Sequence, residues 1–116
     1  RGATGNGKTG AVHETKKQKV LRKFSNRIDE VTNYWLSLTF DQGENALALE
    51  GIDGSGDSGG PLVLTQDGQD FLLGMFAWDH VEGSLVDFIP GLYGHKSYQV
   101  RVSSYLDWIR ATMDVN

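Results

Sequence analysis

Apolar and polar residues alternate along two stretches of the chain, 36–40 and 100–102, with the period of a half-buried β-strand. Two further apolar runs, at 62–65 and 71–76, flank the tetrapeptide Gln66-Asp67-Gly68-Gln69. An Asp-Gly pair between two such runs is a strong signal for a tight β-hairpin. These patterns predict a protein built mainly of sheet.

The C-terminal stretch changes to a helical period. Ser104 is followed three residues later by Asp107, which suggests a capping box at the start of a helix. Beyond it, a stripe recurs on one helical face. The stripe consists of Tyr105, Trp108, Ile109, Thr112 and Met113. We predict a short helix at about 104–113, whose aromatic residues form a docking face.

Composition limits the class of protein. With 116 residues, 39% of them hydrophobic, 15 glycines and only 2 prolines, the chain suits a single turn-rich β-domain. It has no cysteine, which excludes disulfides and thiolate metal sites, and no apolar run long enough to span a membrane. It begins Arg1-Gly2-Ala3-Thr4 without a signal-peptide pattern, as expected for the interior of a longer protein.

Charge is divided unevenly along the chain. Residues 1–40 hold eight Lys and Arg against three acids, whereas residues 41–116 hold three against twelve. A basic stretch can bind nucleic acid, but this one has no interleaved aromatic residues and the whole chain carries a net charge of −4. We interpret it as a solvated face and expect no nucleic-acid partner. The stretch comprises Lys16, Lys17, Lys19, Arg22 and Lys23.

The heptapeptide at 56–62, GDSGGPL, is the strongest chemical signal. A serine hydroxyl needs a base to take its proton and donors to hold the oxyanion that forms. Glycines let the backbone bend so that the N–H groups of Gly56 and Ser58 can be those donors. We identify Ser58 as the candidate nucleophile, and Asp57 as a support that pins the loop through a charged partner. Tetrapeptides such as the Gly-Asp-Ser-Gly at 56–59 also form ordinary turns, so a loop without catalytic function is the alternative.

Residues 2–9 satisfy a competing motif, the phosphate-binding pattern GxxxxGKT. That chemistry needs a strand before the loop and a helix whose N-terminus faces the phosphates, and the strand–helix alternation of a nucleotide-binding domain is absent from the sequence. We expect a glycine-rich turn here, with nucleotide binding as a remote alternative. No cofactor is expected, and the spacing of His13, His80 and His95 predicts no metal site.

The order of several segments resembles the C-terminal half of chymotrypsin/trypsin-like (S1 family) serine proteases, especially cysteine-free secreted bacterial members. The segments are GATGNGKTG at 2–10, LEGIDGSGDSGGPL at 49–62, LLGMFAWD at 72–79, YG at 93–94 and VSSYLDWI at 102–109. Within the second of them, GDSGGP is the only string that is diagnostic by itself.

This resemblance implies an all-β fold in which residues 1–116 form one antiparallel Greek-key β-barrel that ends in the short helix. It also implies strand and loop at 14–32. The local pattern there favours an amphipathic helix instead, because apolar residues recur at helical spacing. We follow the resemblance. The recurring residues are Val20, Leu21, Phe24, Ile28 and Val31.

The resemblance further implies a substrate site. Ala77, Trp78 and Asp79 match a segment that pairs with the substrate backbone as an added strand. Ile52 stands where a trypsin that prefers Arg or Lys has an aspartate, and Asp53 comes one residue later, so basic specificity does not follow from the motif. Asp79 replaces the usual glycine, which either narrows the pocket mouth or turns an acid toward the substrate.

In such proteases the histidine base and its aspartate belong to the N-terminal half. The resemblance therefore implies a secreted or periplasmic serine endopeptidase that hydrolyses peptide bonds through an acyl-enzyme. It implies a separate N-terminal chain that supplies His and Asp, and a peptide or protein substrate. No membrane partner is expected. The alternative is a catalytically inactive, protease-like binding module.

Overall fold

The computed structural model describes residues 3–12 and 21–114. In this part of the chain, strands precede a single α-helix, and short 3-10 turns lie at Gly43–Asn45 and Val102–Tyr105. The regular elements are β1 (Thr4–Asn6), β2 (Gly10–Val12), β3 (Glu30–Val31), β4 (Trp35–Thr39), β5 (Pro61–Gln66), β6 (Gln69–Asp79), β7 (Lys96–Arg101) and α1 (Leu106–Asp114).

Five strands form one antiparallel sheet in the order β3-β4-β7-β6-β5, and β1 pairs with β2. The predicted all-β fold with a short C-terminal helix is confirmed. The sheet is not closed into a barrel among the described residues, because scattered backbone hydrogen bonds, not a ladder, join the β1–β2 hairpin to the rest. Ala3 N–H donates to Ser55 O at 2.8 Å, and Ala11 N–H to Pro90 O at 2.7 Å.

The predicted hairpin is present as β5 and β6. Gln66 pairs with Gln69, and Asp67 and Gly68 occupy the turn with φ angles of 51° and 76°. Two positive φ angles are typical of a type I′ turn, whose twist matches that of the flanking strands. The Asp-Gly pair thus sets the register of the hairpin.

Residues 21–32 form loop and the short strand β3, without a helix. The side-chain amide of Asn26 donates to the carbonyls of Thr39 and Gly51, at 3.0 and 2.8 Å. These tertiary hydrogen bonds override the local helical period. The strand and loop implied by the resemblance are therefore found here, whereas residues 14–20 lie outside the described residues.

The core beneath the sheet is partly polar. Leu36 and Leu38 of β4 are buried, as the alternation predicts, but Ser37 between them is only 1% exposed, so β4 does not keep the alternating burial of a half-buried strand. On β7, the fully buried residues are Ser97 and Gln99, while Val100 is only half-buried. Leu36 pairs with Gln99 and Leu38 with Ser97, so the polar side chains share the face of the two leucines. The Gln99 amide donates to the Ser97 hydroxyl at 2.8 Å, which satisfies part of this polar surface.

Helix α1 begins two residues later than predicted, after the 3-10 turn. The expected capping box does not form, because the Ser104 hydroxyl donates instead to the Asn33 carbonyl. No residue of α1 is buried, and Trp108 and Met113 are 67% and 70% exposed. Within the described ranges, no helix is long and apolar enough to cross a membrane.

The hairpin turn yields a first prediction. Gly68→Ala places a Cβ at a left-handed φ, and no atom lies within 4 Å of that Cβ, so the substitution tests backbone strain alone. We expect the free energy of unfolding to fall by about 1–2 kcal/mol in chemical denaturation. Asp67→Asn is the control, since asparagine tolerates this region and should change stability by less than about 0.5 kcal/mol. Unchanged stability of Gly68→Ala would contradict the turn type.

Candidate active site

Residues 54–60, which we call the nucleophile loop after the predicted role of Ser58, form a tight turn held by hydrogen bonds within the loop. The Asp57 N–H donates to the Gly54 carbonyl at 3.0 Å, and Asp57 Oδ2 accepts the Gly54 N–H at 2.8 Å. Gly56 and Gly59 have φ angles of 97° and 82°, which residues with a Cβ rarely adopt. The loop takes this shape because glycines stand at the positions that require them.

This loop is attached to the sheet through β6. The Gly59 N–H donates to the Phe76 carbonyl at 2.8 Å, and the Phe76 N–H donates to the Gly60 carbonyl at 3.0 Å. Phe76 is one of the buried core residues, so it offers a fixed platform. A Cβ on Gly60 would lie 2.9 Å from the Asp57 carbonyl oxygen, which only glycine avoids. Strand packing thus positions the loop in a chain without disulfides.

Ser58 is exposed on the nucleophile loop. Among the described residues, its hydroxyl has no hydrogen-bond partner, and the N–H groups of Gly56 and Ser58 have no acceptor. Two free N–H groups beside an exposed hydroxyl provide the elements that acyl transfer needs: a nucleophile and donors for an oxyanion. The structure places Ser58, Gly56 and Asp57 in one loop, in which the Asp57 carboxylate bonds the backbone of Gly54.

Ala77, Trp78 and Asp79 form the last part of β6. On one side, β6 pairs with β7 to its end, with a bulge between Phe76 and Trp78. On the other side, β5 pairs with β6 only as far as Met75. Beyond that point, this edge of β6 has no strand partner in the part of the chain that the structure describes. An extended peptide can pair with an edge of this kind.

Aromatic contacts fix Trp78 beside the free edge. Its ring stacks on the Tyr98 ring with centroids 4.0 Å apart. It also packs against the Trp35 ring in a T-shaped arrangement, with centroids 5.7 Å apart. Trp78 nevertheless remains 44% exposed. The Trp78 ring is therefore fixed in orientation and still offers an exposed aromatic surface beside this edge.

Asp53 is buried next to Ile52, with a residue exposure of 7%, and its Oδ1 has no hydrogen-bond partner. Burial raises the pKa of the Asp53 carboxyl; a hydrogen bond with Ser97 partly opposes this change, and the charge of Asp79 adds to it. A cavity of about 160 Å³ borders both Ile52 and Asp53. Asp53, which was predicted at the substrate site, therefore has its carboxyl group in the interior.

Asp79 lies beside His95, a pairing that sequence reasoning missed. His95 Nε2 is 3.5 Å from Asp79 Oδ1, and the His95 side chain is only 2% exposed. Its Nδ1 accepts the Gly91 N–H at 2.9 Å, so the neutral ring carries its proton on Nε2, toward Asp79. A long loop separates the two residues in sequence, and the only available signal was an aspartate where glycine is usual.

The histidines in the described ranges do not meet the candidate nucleophile. His80 is exposed, with Nε2 3.8 Å from Glu82 Oε1, and His95 is held inside by Gly91 and Asp79. His13 lies outside the described residues. Within those residues, no group of three or more His, Asp or Glu could hold a metal ion.

Residues 4–12 form a β-hairpin, not the strand, loop and helix that phosphate binding requires. Asn6 Oδ1 accepts the N–H groups of Lys8 and Thr9, at 3.0 and 3.1 Å. A phosphate-binding loop would use backbone N–H groups of this kind to hold the phosphates, but here the Asn6 side chain accepts two of them. The geometry therefore gives no support to nucleotide binding at this motif.

The burial of Asp53 yields a second prediction. Because its pKa is raised above the ordinary value of 3.8 in the fold, the ionised carboxylate destabilises the folded state above that value. This destabilisation is fully present above the folded pKa and disappears as pH falls below the unfolded one. Asp53→Asn should therefore raise the thermal midpoint by several degrees at pH 7, with little gain below pH 4.

Asp87→Asn, on an exposed loop, is the matched control, since it removes the same charge without burial. We expect its midpoint to follow the wild type at every pH in differential scanning calorimetry. An Asp53→Asn gain of equal size at low and neutral pH would contradict an ionised, buried carboxyl.

No family model matches the chain. Human tissue-type plasminogen activator is 43% identical over 58 residues, covering 50% of this chain and 9% of that protein. Mouse hepatocyte growth factor activator serine protease is 43% identical over 54 residues, covering 47% and 7%. The inactive CLIP domain-containing serine protease A3 of Aedes aegypti is 38% identical over 61 residues, covering 53% and 11%.

The matches thus span about half of this chain and between 7% and 11% of these relatives. The relatives are chymotrypsin-like serine proteases, which supports a protease-like domain. The three named here are animal proteins, so the expected bacterial affinity stays a prediction. About half of this chain is accordingly similar in sequence to chymotrypsin-like serine proteases.

Proposed function

We propose that residues 1–116 are the C-terminal half of a chymotrypsin/trypsin-like serine endopeptidase, the half that carries the nucleophile and the oxyanion hole. The nucleophile loop carries the proposal. Ser58 is exposed there, beside two N–H groups that have no acceptor among the described residues. The similarity to serine proteases over about half of the chain supports the same function.

In the proposed mechanism, Ser58 Oγ attacks the carbonyl carbon of the scissile peptide bond while a histidine takes its proton. The carbonyl oxygen becomes an oxyanion, which the N–H groups of Gly56 and Ser58 stabilise. The amine then leaves with the proton from the histidine, and an ester remains on Ser58. Water hydrolyses this acyl-enzyme by the same sequence of steps. Asp57 supports the loop, and Ala77–Asp79 pairs with the substrate backbone.

The histidine and its aspartate come from an N-terminal half on a separate chain. The interior position of His95 and the contact of His80 with Glu82 support this part, because neither histidine meets Ser58. A protease of this type acts on peptides or proteins outside the cytoplasm, so we infer a secreted or periplasmic protein. The mechanism invokes no cofactor.

Exposed apolar side chains support a partner half. In the described ranges, the buried apolar core consists of Leu36, Leu38 and Phe76. By contrast, the β5–β6 hairpin and α1 carry side chains that are 43–70% exposed. Large exposed apolar patches usually mark interaction surfaces. The exposed side chains are Val63, Leu64, Phe71, Leu72, Trp108 and Met113.

A catalytically inactive binding module is the second candidate. It is favoured by one observation: a relative with 38% identity over 53% of this chain is named an inactive serine protease. An intact Ser58 in a well-formed loop weighs against it. The two candidates differ in whether Ser58 reacts when an N-terminal half is present.

Active-site labelling distinguishes them. We expect a fluorophosphonate to label Ser58 in the two-chain protein, and the label to disappear in Ser58→Ala or when the N-terminal half is removed. Strong labelling of the isolated chain would overturn the division of the catalytic groups between two chains. Absence of labelling in the two-chain protein would favour the inactive module.

The oxyanion donors give a further prediction. Gly56→Ala places a Cβ at a φ of 97° and displaces the loop N–H groups, so kcat should fall about 10²–10³-fold with a smaller change in KM. Gly83→Ala is the matched control: its φ is 75°, its Cβ meets no atom within 4 Å, and it lies on an exposed loop. Steady-state kinetics with a peptide substrate check both. Equal loss in the two variants would refute the assigned role of Gly56.

A further inference from the structure

The carboxylate of Asp79, the last residue of β6, lies between the interior and the surface. Its Oδ1 is buried and has no hydrogen-bond partner among the described residues, whereas the side chain as a whole is 31% exposed. Asp79 also ends the stretch of β6 whose outer edge has no strand partner in the described ranges. The direction in which this carboxylate turns therefore affects the edge to which we assign the substrate.

His95 supplies the donor that faces the buried oxygen. Its Nε2 is 3.5 Å from Asp79 Oδ1, and the proton of the neutral ring is on Nε2 because Nδ1 accepts the Gly91 N–H. This Nε2 has no hydrogen-bond partner in the described part of the chain either. Because a buried polar atom without a partner is costly, the attraction between this donor and this acceptor stabilises both groups.

The His95 ring is fixed in this direction by its surroundings. Besides the bond from Gly91, the ring meets that of Phe88 edge-on, with centroids 5.5 Å apart. The backbone of His95 is held as well, since its N–H donates to the Leu92 carbonyl at 3.0 Å and its carbonyl accepts the Phe40 N–H at 2.9 Å. The side chain is only 2% exposed. The ring is thus a stationary donor beside a more exposed carboxylate.

A second carboxylate opposes the inward position of Asp79. The charge of Asp79 raises the pKa of the Asp53 carboxyl, so the two like charges are close enough to repel each other. Among the described residues, neither carboxylate forms an ion pair with a Lys or Arg. Without the His95 donor, repulsion and hydration would both favour rotation of the Asp79 carboxylate toward water, beside the free edge.

We propose that His95 is a positioning residue, which turns the Asp79 carboxylate inward and so keeps the edge of β6 open to an extended peptide. In the absence of this donor, the Asp79 side chain would occupy space beside the edge, and a substrate would have to displace it. The peptide would bind more weakly, while its reaction with Ser58 would change little once bound. This inference rests on the proposed endopeptidase function and concerns access to its substrate edge.

Two substitutions at His95 separate its two side-chain hydrogen-bonding positions. His95→Gln places an amide N–H near the position of Nε2 and keeps a donor for Asp79. His95→Asn keeps an acceptor near the position of Nδ1 for the Gly91 N–H but has no atom that reaches Asp79. Steady-state kinetics of the two-chain protein with a peptide anilide should show KM raised about tenfold in His95→Asn, with kcat changed less than about threefold. In His95→Gln, KM should stay near the wild-type value.

His80→Asn is the matched control, because His80 is exposed and its side chain contacts Glu82 instead of Asp79. We expect its KM and kcat to equal those of the wild type. A rise in KM of equal size in His80→Asn and His95→Asn, or in His95→Gln and His95→Asn, would contradict the assigned role of the Nε2 donor.

Removal of the carboxylate provides the decisive comparison. Asp79→Gly leaves no side chain for His95 to hold, so adding His95→Asn to it should change KM by less than about twofold. A merely structural role of His95 would raise KM in both backgrounds, because a loosened loop does not depend on Asp79. If His95→Asn fails to fold, Asp79→Gly alone decides: an unchanged KM supports the inference, and a rise of about tenfold overturns it, since the carboxylate would then contribute to binding.

Fluorophosphonate labelling separates this inference from the proposed function, because so small a probe does not extend along the strand edge. Labelling of Ser58 at the wild-type rate, with a KM that His95→Asn leaves unchanged or raises equally in the Asp79→Gly background, would overturn the inference and retain the function. Absence of labelling in the two-chain wild type would reject the function and the inference together.

Discussion

Two hydrogen bonds to one buried residue, Phe76, determine where the nucleophile loop lies. The Phe76 carbonyl accepts from Gly59, and its N–H donates to Gly60. The next residues of the same strand, Ala77–Asp79, form the free edge that we assign to the substrate. In the proposed mechanism, one strand therefore positions both the Ser58 hydroxyl and the substrate peptide. This matters because a misplacement of about 1 Å can cost about 10²-fold in rate.

In the described part of the molecule, the usual distribution of polar and apolar side chains is partly inverted. Strand β7 turns Ser97 and Gln99 inward beside β6, and Asp53 is buried against them, so the interior near the nucleophile loop is polar. Apolar side chains remain outside on the hairpin and α1. Such an inversion reduces the stability of an isolated chain. Exposed apolar surface of this kind is the expected pattern for a domain that docks onto a partner, as the proposed N-terminal half requires.

Local chemistry predicted much of this fold. The Asp67-Gly68 turn specified the hairpin, and the glycines around Ser58 specified a tight loop, because both depend on backbone preferences of neighbouring residues. The helical period over 21–31 misled local reasoning, since the Asn26 side chain bonds two distant carbonyls. The His95–Asp79 contact could not be predicted either, because it depends on how a long loop folds back onto β6.

In the proposed function, Ser58 forms a covalent acyl intermediate during peptide hydrolysis. Mass spectrometry after reaction with a slowly deacylating ester tests it most directly. We expect the two-chain protein to gain one acyl group, fragmentation to assign the group to Ser58, and the ester to break down as product appears. Hydrolysis of peptides without acylation, or acylation at any other residue, would contradict it.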